Sequence, residues 1–208
     1  IMKENIIMTK RNEIKVSDKK TKRYKNIRFA GEDIKKGKTL IKKGIEIDSA
    51  TMGVISSIGL KKVKIFKKPV VSFFTTGDEI ISKGKIKKGQ VFDSNRFSLI
   101  GLLEKHNIKY IDLGHSNDKK ESIRRKFSSG IKKSDIIVSC GGVSVGDADY
   151  IKDVANEIGK INFWKVAMKP GRPLTFGKIN KKIFFGLPGN PVSVMVTFLI
   201  FVLPAIYK

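Results

Sequence analysis

From Val70 onward, short apolar runs alternate with longer stretches of helical period. Val70–Phe74, Ile108–Leu113 and Asp135–Ser139 have strand length, and the run Ile136-Ile137-Val138 is apolar on both faces, as strands inside a parallel sheet are. Asn162–Met168 predicts another strand, and Pro173–Gly177 with Ile183–Gly186 predicts an antiparallel hairpin. Between them, Asn95–His106 predicts a helix capped by Asp93 or Ser94, with Phe97, Ile100 and Leu103 recurring at helical spacing. Asn117 and Asp118 open a further helix, with Glu121 three residues after Asp118 as in a capping box. The segment DYIKDVANEIG reads as a helix, and Asn190 followed by Pro191 starts the last one. Strands alternating with helices predict an α/β fold with a mostly parallel sheet and right-handed crossovers.

The chain before Pro69 has a different texture. Residues 1–27 are polar and basic without a strong period, and Val16–Lys25 reads as a linker. From Arg28 to Lys68, short apolar pieces lie between glycines, with strands expected at Leu40-Ile41, Ile45–Ile47 and Val63–Phe66. Asp48 is placed to cap a helix over Ser49–Ile58 that Gly59 closes. This is a small β-rich N-terminal unit. The expected division is 1–27, 28–68 and 69–208, and the abrupt ends at Ile1 and Lys208 suggest a piece of something longer.

Ligands on parallel α/β sheets sit at the carboxyl ends of the strands. TTGDE, HSND, CGGVSVGDAD, MKPG and LPGNP all fall there. Gly141, Gly142 and Ser144 lie in a turn between a strand and a helix, where free N–H groups and the helix dipole face an anion. The turn of Pro188, Gly189 and Asn190 can offer the N–H groups of its last two residues in the same way, or simply cap a core helix. Glu79, Asp118 and Asp149 follow strands, and convergent carboxylates without histidine or cysteine suit a hard cation such as Mg2+. Each acid taken alone also fits a helix cap. Lys165 and Lys169 fall on one face of the expected strand, roughly 13 Å apart when extended. They could bracket a long anion, with Pro170 and Gly171 bending the chain, or they could be ordinary solvated lysines.

Composition narrows these readings. The 208 residues are 40% hydrophobic, enough for one core and a smaller unit. A net charge of +24 invites nucleic acid, but the lysines are spread through loops along the whole chain and accompany no nucleic-acid-binding motif. The expectation is therefore no nucleic-acid partner, with the basic surface drawing in an anionic small substrate. Val192–Tyr207 is apolar but interrupted by Pro204 and short for a membrane span, so it reads as a buried helix. With one cysteine and no secretory-type start, a soluble cytoplasmic protein is expected.

TTGDE, FDSNR, GGVSVGDADY, FWKVAMKPGRP and GLPGNPVS, in this order, resemble the molybdopterin-binding domain of the molybdopterin molybdenumtransferases, the MoeA and gephyrin E-domain family. The likeness runs from about Arg28 to the C-terminus. It implies a three-layer molybdopterin-binding (MogA/MoeA-like) domain and insertion of molybdate into adenylyl-molybdopterin, with AMP released beside Mg2+. It also implies site residues: Asp118, Asp149, Lys165 and Lys169 for catalysis, and Glu79 with Asp118 and Asp149 around the cation. Arg28 and Asp33 would reach a partner subunit's site in a homodimer. The molybdopterin adenylyltransferase is a further implied partner, and its own activity is the neighbouring alternative. A pterin-binding or scaffold module without turnover is a third reading.

Overall fold

The computed structural model describes residue 3 and residues 6–9, 13–16, 22–142 and 150–208. Ser144 and Asp149 of the expected site lie outside the described residues, as does most of the glycine-rich loop that precedes Tyr150. The chain divides into two units, Ile1–Val63 and Lys64–Lys208.

In the first unit, β1 (Ile6–Met8) and β2 (Ile14–Val16) pair antiparallel, with Ile7 opposite Lys15. Thr9 N–H donates to the Glu13 carbonyl at 2.9 Å. Helix α1 (Ser49–Ser57) starts where the Asp48 carboxylate accepts from Thr51 N–H at 2.8 Å. The strands expected at Leu40-Ile41, Ile45–Ile47 and Val63–Phe66 do not form, and those segments carry no regular secondary structure. The antiparallel strands of this region lie upstream of Arg28 instead. No described residue before Val71 is buried, so apolar residues here have no core face to join, and alternation alone does not make a strand.

The second unit runs β3 (Val71–Thr76), β4 (Ile80–Ile81), β5 (Val91–Phe92), α2 (Ser94–Lys105), β6 (Tyr110–Ser116), α3 (Lys120–Lys133), β7 (Ile136–Cys140), α4 (Tyr150–Ile158), β8 (Gly159–Phe163), β9 (Thr175–Ile179), β10 (Lys182–Leu187) and α5 (Pro191–Thr197). A π-helical turn, Phe198–Val202, joins α5 to α6 (Leu203–Tyr207). The main sheet has six strands in the order β6-β3-β7-β10-β9-β8. β6, β3, β7 and β10 are parallel, while β9 pairs antiparallel with both β10 and β8.

Strand alternation divides the core between the two faces of this sheet. Phe73, Val138 and Phe185 point to a cluster with Leu99, Leu102 and Leu103 of α2 and Val194, Phe198 and Val202 of the last helix. Phe74, Ile137 and Phe184 point the other way, to Ile123 and Phe127 of α3 and Ile151 and Val154 of α4. The result is three layers, with the sheet between two helix pairs. The Phe127 ring packs edge-on against Phe74 and Phe184, with centroids 5.4 and 5.1 Å away.

Two expectations shift in register. The buried side of α2 is Leu99, Leu102 and Leu103, and Phe97 faces solvent. The strand expected at Asn162–Met168 is β8, Gly159–Phe163, which follows α4 without a loop. There a Cβ on Gly159 would run into the Lys178 carbonyl of β9. Glycine thus sets the strand's start ahead of the apolar run that had suggested it. Among the described residues no helix is long and apolar enough to cross a membrane.

Phe127 is fully buried between two rings, so Phe127→Ala should lower unfolding free energy by about 3–5 kcal/mol in urea melts. A loss below about 1 kcal/mol would contradict the packed layer described here.

Candidate functional site

Strand register brings the candidate loops to one edge. Thr76 lies opposite Ser116, Thr75 opposite Cys140, and Cys140 opposite Leu187, so β6, β3, β7 and β10 end nearly level. Gly77, Asn117, Gly141 and Pro188 are the residues that follow. Phe163 of β8 lies opposite Phe176, and Thr175 of β9 opposite Gly186 of β10. The connection 164–174, with Lys165, Lys169 and Gly171, therefore leaves from the same edge. Neighbouring strands are about 4.8 Å apart, so this rim runs ~19 Å from β6 to β9. Acids stand at its β6–β3 end, the glycine turn at β7 is in the middle, and the lysines are at the far end. A ligand that engages acids and lysines together must be elongated.

At the acid end, the Glu79 carboxylate folds back over Gly77, so that a Cβ there would sit 2.5 Å from Glu79 Oε1. Asp118 N–H donates to Asp78 Oδ1 at 3.0 Å, which ties the β6 loop to the β3 loop. The N-cap of α3 is Lys119 with no side-chain hydrogen bond, so the Asp118 carboxylate is not consumed as a cap. Burial raises its pKa above the ordinary aspartate value, and Asp78 and Glu79 add to the rise. Burial lowers the pKa of His115 on the neighbouring strand, against the opposing pull of Asp93 and Asp118. Among the described residues, no group of three histidine, cysteine or acidic side chains is disposed to hold a metal ion. Asp149, the expected third ligand, lies outside them.

In the middle of the rim, Gly141 and Gly142 have φ values of 85° and 64°, and any side chain on them would strike Thr76. Gly141 N–H donates to the Leu187 carbonyl at 3.2 Å, and the Cys140 thiol to the Pro188 carbonyl at 3.4 Å. Asn95 of α2 donates to the Gly189 carbonyl at 2.7 Å. These bonds lock the β7 and β10 loops together. The Asn190 side chain caps α5, accepting from Val192 and Ser193 N–H at 3.0 and 3.3 Å. Pro188 is buried, whereas Gly189 and Asn190 are exposed. Burial pushes the Cys140 thiol far above its ordinary pKa, which removes it as a nucleophile.

At the far end, Lys165 and Lys169 lie in irregular, exposed chain and not on a strand. Their spacing is therefore not that of alternate strand residues. Gly171 is buried against Thr197 and Met168. Arg28 and Asp33 belong to the first unit, where they form an exposed ion pair of 2.8 Å.

The structure adds polar groups that the sequence reading passed over. Thr76 Oγ1, Asn95 Oδ1, Ser139 Oγ and Thr175 Oγ1 are buried with no hydrogen-bond partner among the described residues. Three of them stand at or beside strand ends on the rim. The available signal was a hydroxyl inside an apolar run next to a glycine, as in VSFFTTG and IIVSCGG. Asp93, expected only as a cap, is also buried, and accepts from Thr75 Oγ1 at 2.6 Å as well as from Arg96 N–H at 3.1 Å.

A mostly parallel sheet whose level strand ends carry a glycine turn, a half-buried acid and unpartnered hydroxyls has the architecture of α/β domains that bind ligands at their strand ends. Residues 72–208 match the family described as a probable molybdopterin binding domain, and residues 1–59 match the MoeA N-terminal region (domain I and II). The chain belongs to that molybdopterin-binding family. It is 40% identical to a molybdopterin molybdenumtransferase of Haemophilus influenzae over 100% of this chain and 52% of that protein. Gephyrin of Dictyostelium discoideum is 35% identical over 88% of this chain and 30% of its own length. The crystal structure of a molybdopterin biosynthesis MoeA protein from Pyrococcus horikoshii superimposes with a TM-score of 0.70 at 30% identity, over 100% of this chain and 51% of that one. The chain thus spans about half the length of these two full-coverage relatives, 52% and 51%.

The raised pKa of Asp118 has a defined sign for stability. The folded protein holds this proton more tightly than the unfolded chain, so stability falls as pH rises from 3.8 towards the folded value. Asp118→Asn should therefore be more stable than the parent at neutral pH, with the gain fading as pH drops towards 3.8. Urea melts across that range test it, and a less stable variant at pH 7 would remove the case for crowded acids.

Proposed function

We propose that this chain works in molybdenum cofactor biosynthesis as a molybdopterin molybdotransferase. It inserts molybdate into the dithiolene of adenylyl-molybdopterin and releases AMP. The observation that carries the reading is the single rim of acids, glycines and lysines on a chain whose whole length aligns with 52% of a molybdopterin molybdenumtransferase. A rim of ~19 Å suits a pterin joined through phosphates to an adenosine.

Each group at the rim has a role in this reading. Gly142, Ser144, Gly189 and Asn190 would offer backbone N–H groups to the phosphates, with Gly141, whose own N–H is taken by the Leu187 carbonyl, turning the chain between them and Pro188 and Gly171 shaping the floor. Lys165 and Lys169 hold molybdate and phosphate oxygens as point charges that need no fixed fork. Asp118, Asp149 and Glu79 would hold the cation. The clustering of Asp78, Glu79 and Asp118, with the Asp118 pKa raised by burial and by its two acidic neighbours, is the environment that a bound Mg2+ would relieve. When bound, Mg2+ would offset the diphosphate charge and favour departure of AMP.

We also propose a cytoplasmic homodimer in which Arg28 and Asp33 serve the partner's site, and which receives its nucleotide from the molybdopterin adenylyltransferase. Residues 69–208 form the molybdopterin-binding domain, 28–68 part of a smaller one, and 1–27 the remnant of an elongated N-terminal domain.

The test is AMP release from adenylyl-molybdopterin with molybdate and Mg2+. Asp149→Asn and Lys169→Ala should each lower turnover by on the order of 100-fold or more while leaving the melting temperature within a few degrees. Turnover that survives both changes would refute the assignment. Consumption of ATP with unmodified molybdopterin would instead identify an adenylyltransferase, and tight binding without AMP release a scaffold.

A further inference from the structure

Strands β3 and β6 are parallel but do not keep step. Phe73 lies opposite Asp112, yet Thr75 lies opposite His115, so β6 uses three residues where β3 uses two. The extra residue falls at Leu113-Gly114, and Gly114 takes a left-handed φ of 72°. A bulge of this kind re-aims the chain that follows it. In an unbroken register Gly114 would face Thr75 and His115 would face Thr76. The bulge instead sets Ser116 opposite Thr76, and the side chains beyond it change faces. Where Asp118 stands on the rim is therefore decided at Leu113-Gly114.

Two side chains hold this bulge, one from each face of the sheet. From α3, Lys126 Nζ donates to the Leu113 carbonyl. From α2, Arg96 Nε donates to Asp112 Oδ2 at 2.7 Å, and the other oxygen of Asp112 accepts Gly114 N–H at 2.7 Å. The Lys126 ammonium is half-buried, and burial lowers its pKa against the pull of Asp112. β6 is the outermost strand, and among the described residues no strand pairs with its far side to fix the bulge there. The chain beyond the bulge is pinned as well. Ser116 Oγ donates to Ser122 Oγ at 2.8 Å, and Asp118 N–H to Asp78 Oδ1 at 3.0 Å. A shift at Leu113 is thus passed on to Asp118.

We propose that Lys126, acting through the Leu113 carbonyl, is a positioning residue for the Asp118 carboxylate, with Asp112 as its counterpart on the opposite face. The proposal rests on the reading of Asp118 as a cation ligand. Charge alone predicts the reverse behaviour. Lys126 is near enough to disfavour the protonated form of His115, so removing its charge would by Coulomb's law favour a cation nearby. Releasing the bulge weakens the hold on that cation instead. The sign of the change separates the two effects.

Titration of Mn2+ alone into the 208-residue chain, with the free ion read by electron paramagnetic resonance, tests the proposal. Lys126→Met should keep the parent's circular dichroism and raise the Mn2+ dissociation constant about 10-fold. Lys126→Arg, which keeps the charge and the donors, should restore most of that affinity. If Lys126→Met does not fold, Lys126→Gln, one bond shorter and uncharged, replaces it with the same expected loss. A folded, uncharged variant that binds Mn2+ as tightly as the parent, or more tightly, overturns the clamp. So does Lys126→Arg if it is as weak as Lys126→Met. In both cases the cation reading stands as long as Asp118→Asn loses affinity. An Asp118→Asn variant that binds like the parent, or a parent that binds no Mn2+, overturns the cation reading and the clamp together.

Discussion

Thr76, the last residue of β3, stands so close to Gly141 and Gly142 that neither glycine has room for a side chain. This contact lets the chain leave β7 without a Cβ and holds the β7 exit against β3. The β10 exit is held from the other side through Leu187 and Pro188. The helices on both faces supply the compaction, but the level exits of four parallel strands decide that the loops meet. If one register slipped by a residue, the Phe73 and Phe74 faces would exchange, and the exits would no longer be level.

The two faces of the sheet are unequal in what they leave open. The layer of α3 and α4 is crossed by ion pairs, Lys120 with Asp153 at 2.7 Å and Arg124 with Glu157. The layer of α2 and α5 has no such crossing pair among the described residues. Burial of leucine and phenylalanine joins it to the sheet, and two side-chain-to-carbonyl bonds join its helices. Exposed pairs such as those between α3 and α4 contribute little stability, but they mark a surface suited to water. Their absence on the opposite layer is a difference in surface chemistry, while the fold is the same on both sides.

Much of the second unit was legible because its strands are apolar on both faces and end at glycine or proline. Asp48, Asp93 and Asn190 were legible as caps because acid or amide side chains at those positions have one local purpose. The first unit was not legible, since short alternating segments among lysines look like strands whether or not a core exists to receive them. Lys165 and Lys169 were placed on a strand because the apolar run around Trp164 suggested one, and that strand had already begun at Gly159 and ended at Phe163. Asp118 shows the limit of local reading. The box pattern with Glu121 was present, yet the cap position fell to Lys119, and only neighbouring loops reveal that the carboxylate is free of that duty. The unpartnered hydroxyls of Thr76, Ser139 and Thr175 could not be foreseen, because a buried threonine in a strand usually finds a bond.

Cys140 is the chain's one thiol, and it lies directly under the glycine turn, 1% exposed, with its proton directed at the Pro188 carbonyl. The dithiolene of the proposed ligand carries two thiolate-level sulfurs, and an oxidant that removes two electrons could join one of them to an accessible cysteine thiolate as a mixed disulfide. Cys140, buried and with its pKa raised, does not reach the rim to take part. A sulfur-rich guest held there would therefore not become covalently snared by the chain's one thiol, even as redox conditions change.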